Sequence, residues 1–159
     1  MVLKSFPEFS VNESRVMINA ISPKKIVQHI QKYPQMYIGS NELNAQYLVT
    51  ELLTDAKLLG IKEAEYFSFA NWHLIKAESN WIIKNTLGIT LIEDIFNRII
   101  PFPEAGVNSI RSEVIITAFA SDVFVWYQES LTVIKGNKPN PELVDLLFLQ
   151  PKFCIGFRM

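Results

Sequence analysis

The sequence predicts an α+β fold, because segments of helical and of strand character occupy different parts of the chain. Between residues 22 and 60, apolar residues recur at the spacing of amphipathic helices. Aromatic and β-branched residues, which favour strands, are concentrated between residues 65 and 85 and again after residue 120. With 159 residues, 49% of them hydrophobic, the chain can form one well-buried core but not two ordinary domains. We therefore expect a single domain over residues 1–159, with residues 1–22 as an N-terminal extension or edge strand.

Two helices are predicted in the first third of the chain. Ser22 begins the first helix, because its hydroxyl oxygen can accept a free amide of the first turn and Pro23 has no amide to leave unsatisfied. Pro34 ends this helix. Apolar residues at helical spacing predict the second helix over Asn41–Leu59, and Gly60 suits its C-terminal cap.

The next segment is interpreted as a hairpin followed by a short helix. Two runs rich in aromatic and β-branched residues, Tyr66–Ile75 and Trp81–Lys84, flank a polar stretch at residues 78–80, which predicts the turn. A short helix is expected within Gly88–Arg98. The prolines and the glycine of residues 101–106 then predict a loop.

The last third of the chain predicts a second hairpin, a helix and a final strand. Ser112–Ala120 is ambiguous, since its apolar residues suit either a strand or a fully buried helix. Val123–Tyr127 and Leu131–Ile134 are predicted to pair as strands. The Asn-Pro-Glu sequence at the start of residues 140–149 supplies a cap and a helical first turn, and Lys152–Arg158 is predicted as the last strand.

Charge and composition exclude several classes of function. The net charge is −1 and the basic residues are scattered, so no direct binding of nucleic acid is expected. No apolar run reaches the ~18 to 20 residues that a membrane helix needs, so we expect no membrane contact. The single Cys154 and the lack of a secretory leader predict a cytoplasmic protein. Only 19% of the residues are charged, which suggests a protein partner, although the sequence specifies neither that partner nor the oligomeric state.

One segment resembles a known family. Gln31–Gly39 is similar to R-K-R-P-G-M-Y-I-G of the ATPase subunit of DNA gyrase and its type II topoisomerase relatives, which belong to the GHKL ATPases. The matching positions are Lys32, Pro34, Met36, Tyr37, Ile38 and Gly39. The likeness extends loosely to Phe157 and includes Ile115–Val125, which is similar to V-V-N-A-L-S-x-x-L-x-L of the family and favours a helix over Ser112–Ala120. It implies a bacterial protein and a two-layer sandwich, with helices on one face of a mixed, mostly antiparallel sheet.

The resemblance also implies roles for five residues. Glu51 stands where the family has the general base that activates water, and Asp55 stands where it has the magnesium-binding Asn. Asn85 stands where a family Asp accepts the adenine amino proton, and it is followed by Gly88 and Ile89 of the motif D-G-x-G-I. ATP and magnesium are thus the cofactors that the resemblance allows.

Each of the polar residues has a simpler interpretation. Glu51 suits a solvated helix position, Asp55 suits an exposed helix face, and Asn85 suits a turn at the end of a strand. Glu51 and Asp55 are one helical turn apart, so their carboxylates repel each other unless a cation or a basic group lies between them.

The glycines with which the family binds phosphate are largely missing. Thr86 and Leu87 add side chains where the backbone must approach a triphosphate, and only Gly106 remains of the glycine-rich lid. The sequence therefore favours a catalytically inactive GHKL-ATPase-like domain that acts through protein contacts and holds no cofactor. Two alternatives are a divergent ATP-binding protein or weak ATPase using Glu51, Asp55 and Asn85, and an unrelated interaction or immunity-type protein.

Overall fold

The computed structural model describes residues 22–149 and 151–159 of the chain. The helices are α1 (Pro23–Lys32), α2 (Gln35–Ile38), α3 (Ala45–Leu58), α4 (Ile92–Asn97), α5 (Glu113–Phe119) and α6 (Pro141–Leu149). The strands are β1 (Glu65–Phe69), β2 (Trp72–Ala77), β3 (Asp122–Tyr127), β4 (Ser130–Lys135) and β5 (Phe153–Arg158). The predicted N-terminal extension or edge strand lies outside the described residues, apart from its last residue.

The five strands form a sheet in the order β1-β2-β5-β3-β4. Each pairing between these strands is antiparallel. The last strand of the chain, β5, lies at the centre of the sheet and joins the hairpins β1-β2 and β3-β4. The prediction of an α+β fold with a mostly antiparallel sheet is confirmed.

The first hairpin turns earlier than the sequence predicts. Strands β1 and β2 are joined by Ala70 and Asn71, which both have left-handed φ angles, 47° and 67°. Such two-residue turns match the right-handed twist of the strands they connect. Residues Trp81–Lys84 form turns instead of the predicted second strand, and Trp81 is fully buried. The prediction was wrong because alanine is an unusual residue in a left-handed turn, so Asn71 was the only local signal.

The predicted ends of the first two helices are largely confirmed. The Ser22 hydroxyl accepts the amide of Lys25 at 3.3 Å and caps α1. Helix α3 begins four residues later than predicted, after Asn44, whose side chain accepts the Tyr47 amide at 2.8 Å. Gly60 follows its end with φ 90°. The predicted loop at residues 101–106 contains one 3-10 turn, Pro103–Ala105.

In the described part of the chain, every helix except α6 contributes to the core on one face of the sheet, and α5 lies among these helices. Helix α5 settles the ambiguity over residues 112–120 in favour of a helix, and its residues from Glu113 to Ala118 are all buried. It contacts α1, α3, α4 and β3. The main core comprises apolar residues of these helices together with sheet residues such as Ile75, Val125 and Ile155.

Helix α6 packs against the opposite face of the sheet, where the resemblance implied no helix. Leu143 and Leu147 of α6 form a second core with sheet residues Trp72, Leu74, Phe124, Trp126 and Cys154. The alternation of side chains along the strands explains this arrangement, because β2, β3 and β5 are apolar on both faces. A sheet with two apolar faces needs a cover on each, so the expectation of helices on one face was incomplete.

Gly156 of β5 makes the close packing of this second core possible. A methyl group on Gly156 would collide with the ring of Phe124. That ring lies edge-on against Trp72, with 5.1 Å between the ring centroids. A side chain at position 156 would therefore displace two large aromatic residues at the centre of the sheet.

We expect Gly156→Ala to lower the free energy of unfolding by about 1–3 kcal/mol, because the core has no room for the added methyl group. Urea unfolding at equilibrium measures the change. Phe124→Leu removes the ring that the methyl group meets, so the double variant should lose less stability than the sum of the two single changes. Additive losses would show that the Phe124 ring does not limit position 156.

Candidate functional site

Asp55 is buried at the start of helix α5 and does not lie on an exposed helix face. Its exposed fraction is 3%, and its Oδ2 accepts the backbone N–H of Ser112 at 2.8 Å. Ser112 occupies the N-cap position of α5, so the carboxylate satisfies one of the amides that a helix leaves free at its start. The negative charge also lies at the positive end of the helix dipole.

A buried ion pair adjoins Asp55. The Nη2 atom of Arg111 lies 2.5 Å from Oε1 of Glu113, and both side chains are completely buried. The guanidinium also donates to the carbonyl oxygens of Lys84 at 2.7 Å and Ile82 at 3.1 Å. Arg111 therefore ties the turns after β2 to the start of α5.

The electrostatic environment of Asp55 favours its protonated form. Burial raises the pKa of Asp55 to about 7, and the Glu113 carboxylate adds to this rise. The hydrogen bonds from Ser112 and the charge of Arg111 act in the opposite direction. With Asp55 ionised, this cluster would hold two carboxylates for one guanidinium.

Glu51 lies one turn before Asp55 on helix α3 and is half-buried. Burial raises its pKa. Unlike that of Asp55, its side chain has no hydrogen bond or ion pair to another described residue. The two carboxylates thus differ in role, since Asp55 is bonded inside the core whereas Glu51 is partly open to solvent.

Asn85 lies in a tight loop and is exposed. Its Nδ2 donates to Oε1 of Glu104 at 2.9 Å, so its amide is already bonded to the 3-10 turn. Asn85, Leu87 and Gly88 have φ angles of 54°, 55° and 83°. Leucine rarely adopts this left-handed conformation, which costs on the order of 1 kcal/mol.

A shallow depression of about 440 Å³ lies along this loop. It is lined by Ile83 and residues 85–90, and Gly88 and Ile89 are thus part of its wall. Thr86 is buried, and its hydroxyl donates to the carbonyl oxygen of Ile89 at 2.5 Å. The loop is held by its own side chains, and its exposed surface is mainly apolar.

The structure links the segments of Asp55 and Asn85 through two residues that the sequence analysis missed. Asp55 bonds to Ser112, and the neighbouring Arg111 bonds to the carbonyl oxygen of Lys84, next to Asn85. The sequence signal was an Arg and a Glu two positions apart at the start of a mainly apolar helix. Charged residues at that place need partners inside the core.

Cys154 and the described acidic and histidine residues show no metal-binding cluster. Within residues 22–149 and 151–159, no group of three or more His, Cys, Asp or Glu side chains is placed to hold a metal ion. Cys154 is buried, and burial raises the pKa of its thiol. None of the helices in the described part of the chain has the length and apolar character to cross a membrane.

Comparison of the chain with protein-family models, with curated proteins and with solved structures gives no significant match.

The raised pKa of Asp55 predicts that the protein becomes less stable as the pH rises. In the folded protein the pKa is about 7, against an ordinary value of 3.8, so protonation of Asp55 favours folding. This contribution is complete below the ordinary value and is lost as the pH rises through about 7. Urea unfolding between about pH 4 and pH 7 should show the decline, and the stability should level off at higher pH.

Asp55→Asn should flatten this pH dependence, because the amide oxygen can still accept the Ser112 N–H and no longer ionises. Asp55→Ala is the matched comparison, since it removes the charge and the acceptor together. We expect it to be about 1–3 kcal/mol less stable than Asp55→Asn, because it leaves a buried amide unsatisfied. An unchanged pH dependence in Asp55→Asn would assign the titration to another group.

Proposed function

We propose that this chain is a catalytically inactive domain of the GHKL ATPase type that acts through protein contacts, as a regulatory or binding module. It requires no nucleotide or metal for this role. The cytoplasm is the compartment in which we propose it works.

The main support for this proposal is that the Asp55 carboxylate is already bonded inside the core. In the family that the sequence resembles, the corresponding side chain binds magnesium, and that ion needs oxygen ligands directed into an open site. Here the Asp55 carboxylate is buried, accepts an amide of α5 and has its charged form disfavoured. A carboxylate whose charged form is disfavoured by burial and which is almost inaccessible to solvent is a poor ligand for a hydrated cation.

The loop at residues 85–90 supports the same proposal. The Asn85 amide donates to Glu104, whereas adenine recognition needs its oxygen as an acceptor in a pocket. Leu87 places a side chain in a left-handed segment, where glycines allow phosphate oxygens to approach backbone amides. The loop therefore favours packing and contact over the binding of a triphosphate.

Glu51 supports a second candidate, a weak ATPase. It is half-buried, its pKa is raised by burial, and it has no bonded partner among the described residues. A general base works best with a pKa shifted toward the operating pH and with an accessible oxygen. In this candidate Glu51 is the general base, Asp55 binds magnesium and Asn85 binds adenine.

Thermal unfolding with millimolar ATP and magnesium distinguishes the two candidates. We expect no rise in the unfolding midpoint and no phosphate release. Specific binding at a hundredfold excess over Kd would stabilise the folded state by about 2.7 kcal/mol, a shift of several degrees that is easily measured.

Two variants make the test specific. Glu51→Ala removes the candidate base, and Glu42→Ala is the matched control at an exposed position on the loop before α3. A midpoint that rises with nucleotide, together with turnover lost in Glu51→Ala and kept in Glu42→Ala, would replace the proposed function with the ATPase. Equal behaviour of both variants without any nucleotide effect is the result that we expect.

A further inference from the structure

Helices α1 and α2 present an exposed surface that combines lysines with aromatic residues and a methionine. We call this surface the basic aromatic face, and it comprises Lys25, His29, Lys32, Tyr33, Met36 and Tyr37. Met36 is 71% exposed and Tyr33 is 43% exposed. The opposite side of α1 carries the buried residues Ile26 and Ile30, which anchor the helix to the core.

The side chains of the basic aromatic face form one continuous arrangement. The rings of His29 and Tyr33 lie 5.0 Å apart, and those of His29 and Tyr37 lie 5.8 Å apart. A hydrogen bond of 2.6 Å joins His29 Nδ1 to the Tyr37 hydroxyl. The Lys32 ammonium lies 5.3 Å from the centre of the Tyr33 ring. Lys25 is one helical turn before His29, on the same side of α1. These contacts hold the rings in place before any partner binds.

The stretch of sequence that forms this surface is basic. Residues 22–41 contain three lysines and no acidic residue, whereas the whole chain has 15 basic and 16 acidic residues. The rest of the chain is therefore acidic on balance. A basic patch on an otherwise acidic protein attracts an acidic partner and orients it during approach.

The composition of the face favours a protein partner over a membrane or a nucleic acid. The two lysines of the face are fewer than the ~4 to 8 basic residues that bind anionic lipids, and fewer than the ~6 to 10 phosphate contacts of typical DNA-binding proteins. Tyrosine and methionine, in contrast, are enriched in protein interfaces, where ordered rings supply contact area at low entropic cost.

We infer that the basic aromatic face binds an acidic segment of a partner protein, whose apolar side chains cover Tyr33 and Met36 and whose carboxylates pair with Lys25 and Lys32. This inference rests on the proposed function as a binding module and assigns that function to a surface. The chemistry required of the partner is a short segment in which acidic and apolar residues alternate or share one helical side.

Selection from a random peptide library displayed on phage tests the inference without knowledge of the natural partner. The intact protein is the bait, and enriched peptides should combine Asp or Glu with large apolar residues. A synthetic enriched peptide should bind Lys25→Glu/Lys32→Glu at least about tenfold more weakly than the original protein, because two attractive charge pairs become repulsive. Met36→Ala should weaken binding while leaving its dependence on salt unchanged.

The matched control is Lys62→Glu/Lys138→Glu, which makes the same change of net charge at exposed residues outside this face. It should bind the peptide as the original protein does. Peptides that lack acidic residues, or equal loss of binding in both double variants, would overturn the inference. The inference would also be overturned if the protein bound phosphatidylserine vesicles or duplex DNA, and if this binding were lost in Lys25→Glu/Lys32→Glu but kept in the control.

The outcome is independent of the nucleotide experiment. A rise in midpoint with ATP that requires Glu51 would remove the proposed inactive role, even if the acidic peptide still bound at α1. Failure of peptide binding without any effect of ATP would remove only the assignment of this face.

Discussion

The rest of the structure depends on one constraint. The free backbone N–H and C=O groups at the two ends of helix α5 must find hydrogen-bond partners inside the protein. This helix lies inside the protein, so the amides of its first turn and the carbonyl groups of its last turn have no water to bond. Asp55 accepts the Ser112 amide at one end. At the other end, Gln31 donates to the carbonyl oxygen of Ala118 and Lys135 donates to that of Thr117, each at 2.7 Å. Side chains from α1, α3 and β4 therefore converge on one helix and fix the positions of these elements relative to the sheet.

This arrangement gives Asp55 a structural role in the folded chain. Its carboxylate can accept the α5 amide only from inside the core, and the same burial disfavours its charge. Arg111 and Glu113 extend the cluster to the turns after β2. Breaking such a buried pair on one side costs several kcal/mol, because an uncompensated charge is left behind. Substitution of these residues is thus expected to affect folding before it affects any binding.

Local sequence signals predicted most of the elements but not the contacts between them. Some residues form helix ends through neighbours only a few positions away, so the sequence predicts them directly. Examples are Ser22, Gly60 and the Asn-Pro-Glu start of α6. The hairpin at Ala70 was missed because the strand pairing imposes a left-handed conformation that alanine does not favour. The burial of Asp55 was missed for a different reason, since its partner is 57 positions away in the chain. The pairing of Arg111 with distant carbonyl groups has no signature in local spacing either.

The cluster of Asp55, Arg111 and Glu113, here called the interior cluster, differs from the basic aromatic face. The difference is whether the side chains already have partners within the protein. Each charged side chain of the interior cluster bonds to a partner inside the protein, so its interactions stabilise the fold and are not available to an external partner. At α1, by contrast, the contacts among His29, Tyr33 and Tyr37 order the rings but leave Tyr33 and Met36 exposed to water. Apolar surface that is ordered and exposed still has the free energy of burial to gain on association, about 25 cal/mol for each Å² covered. We therefore place the proposed partner-binding surface at α1 and not at Glu51, Asp55 and Asn85.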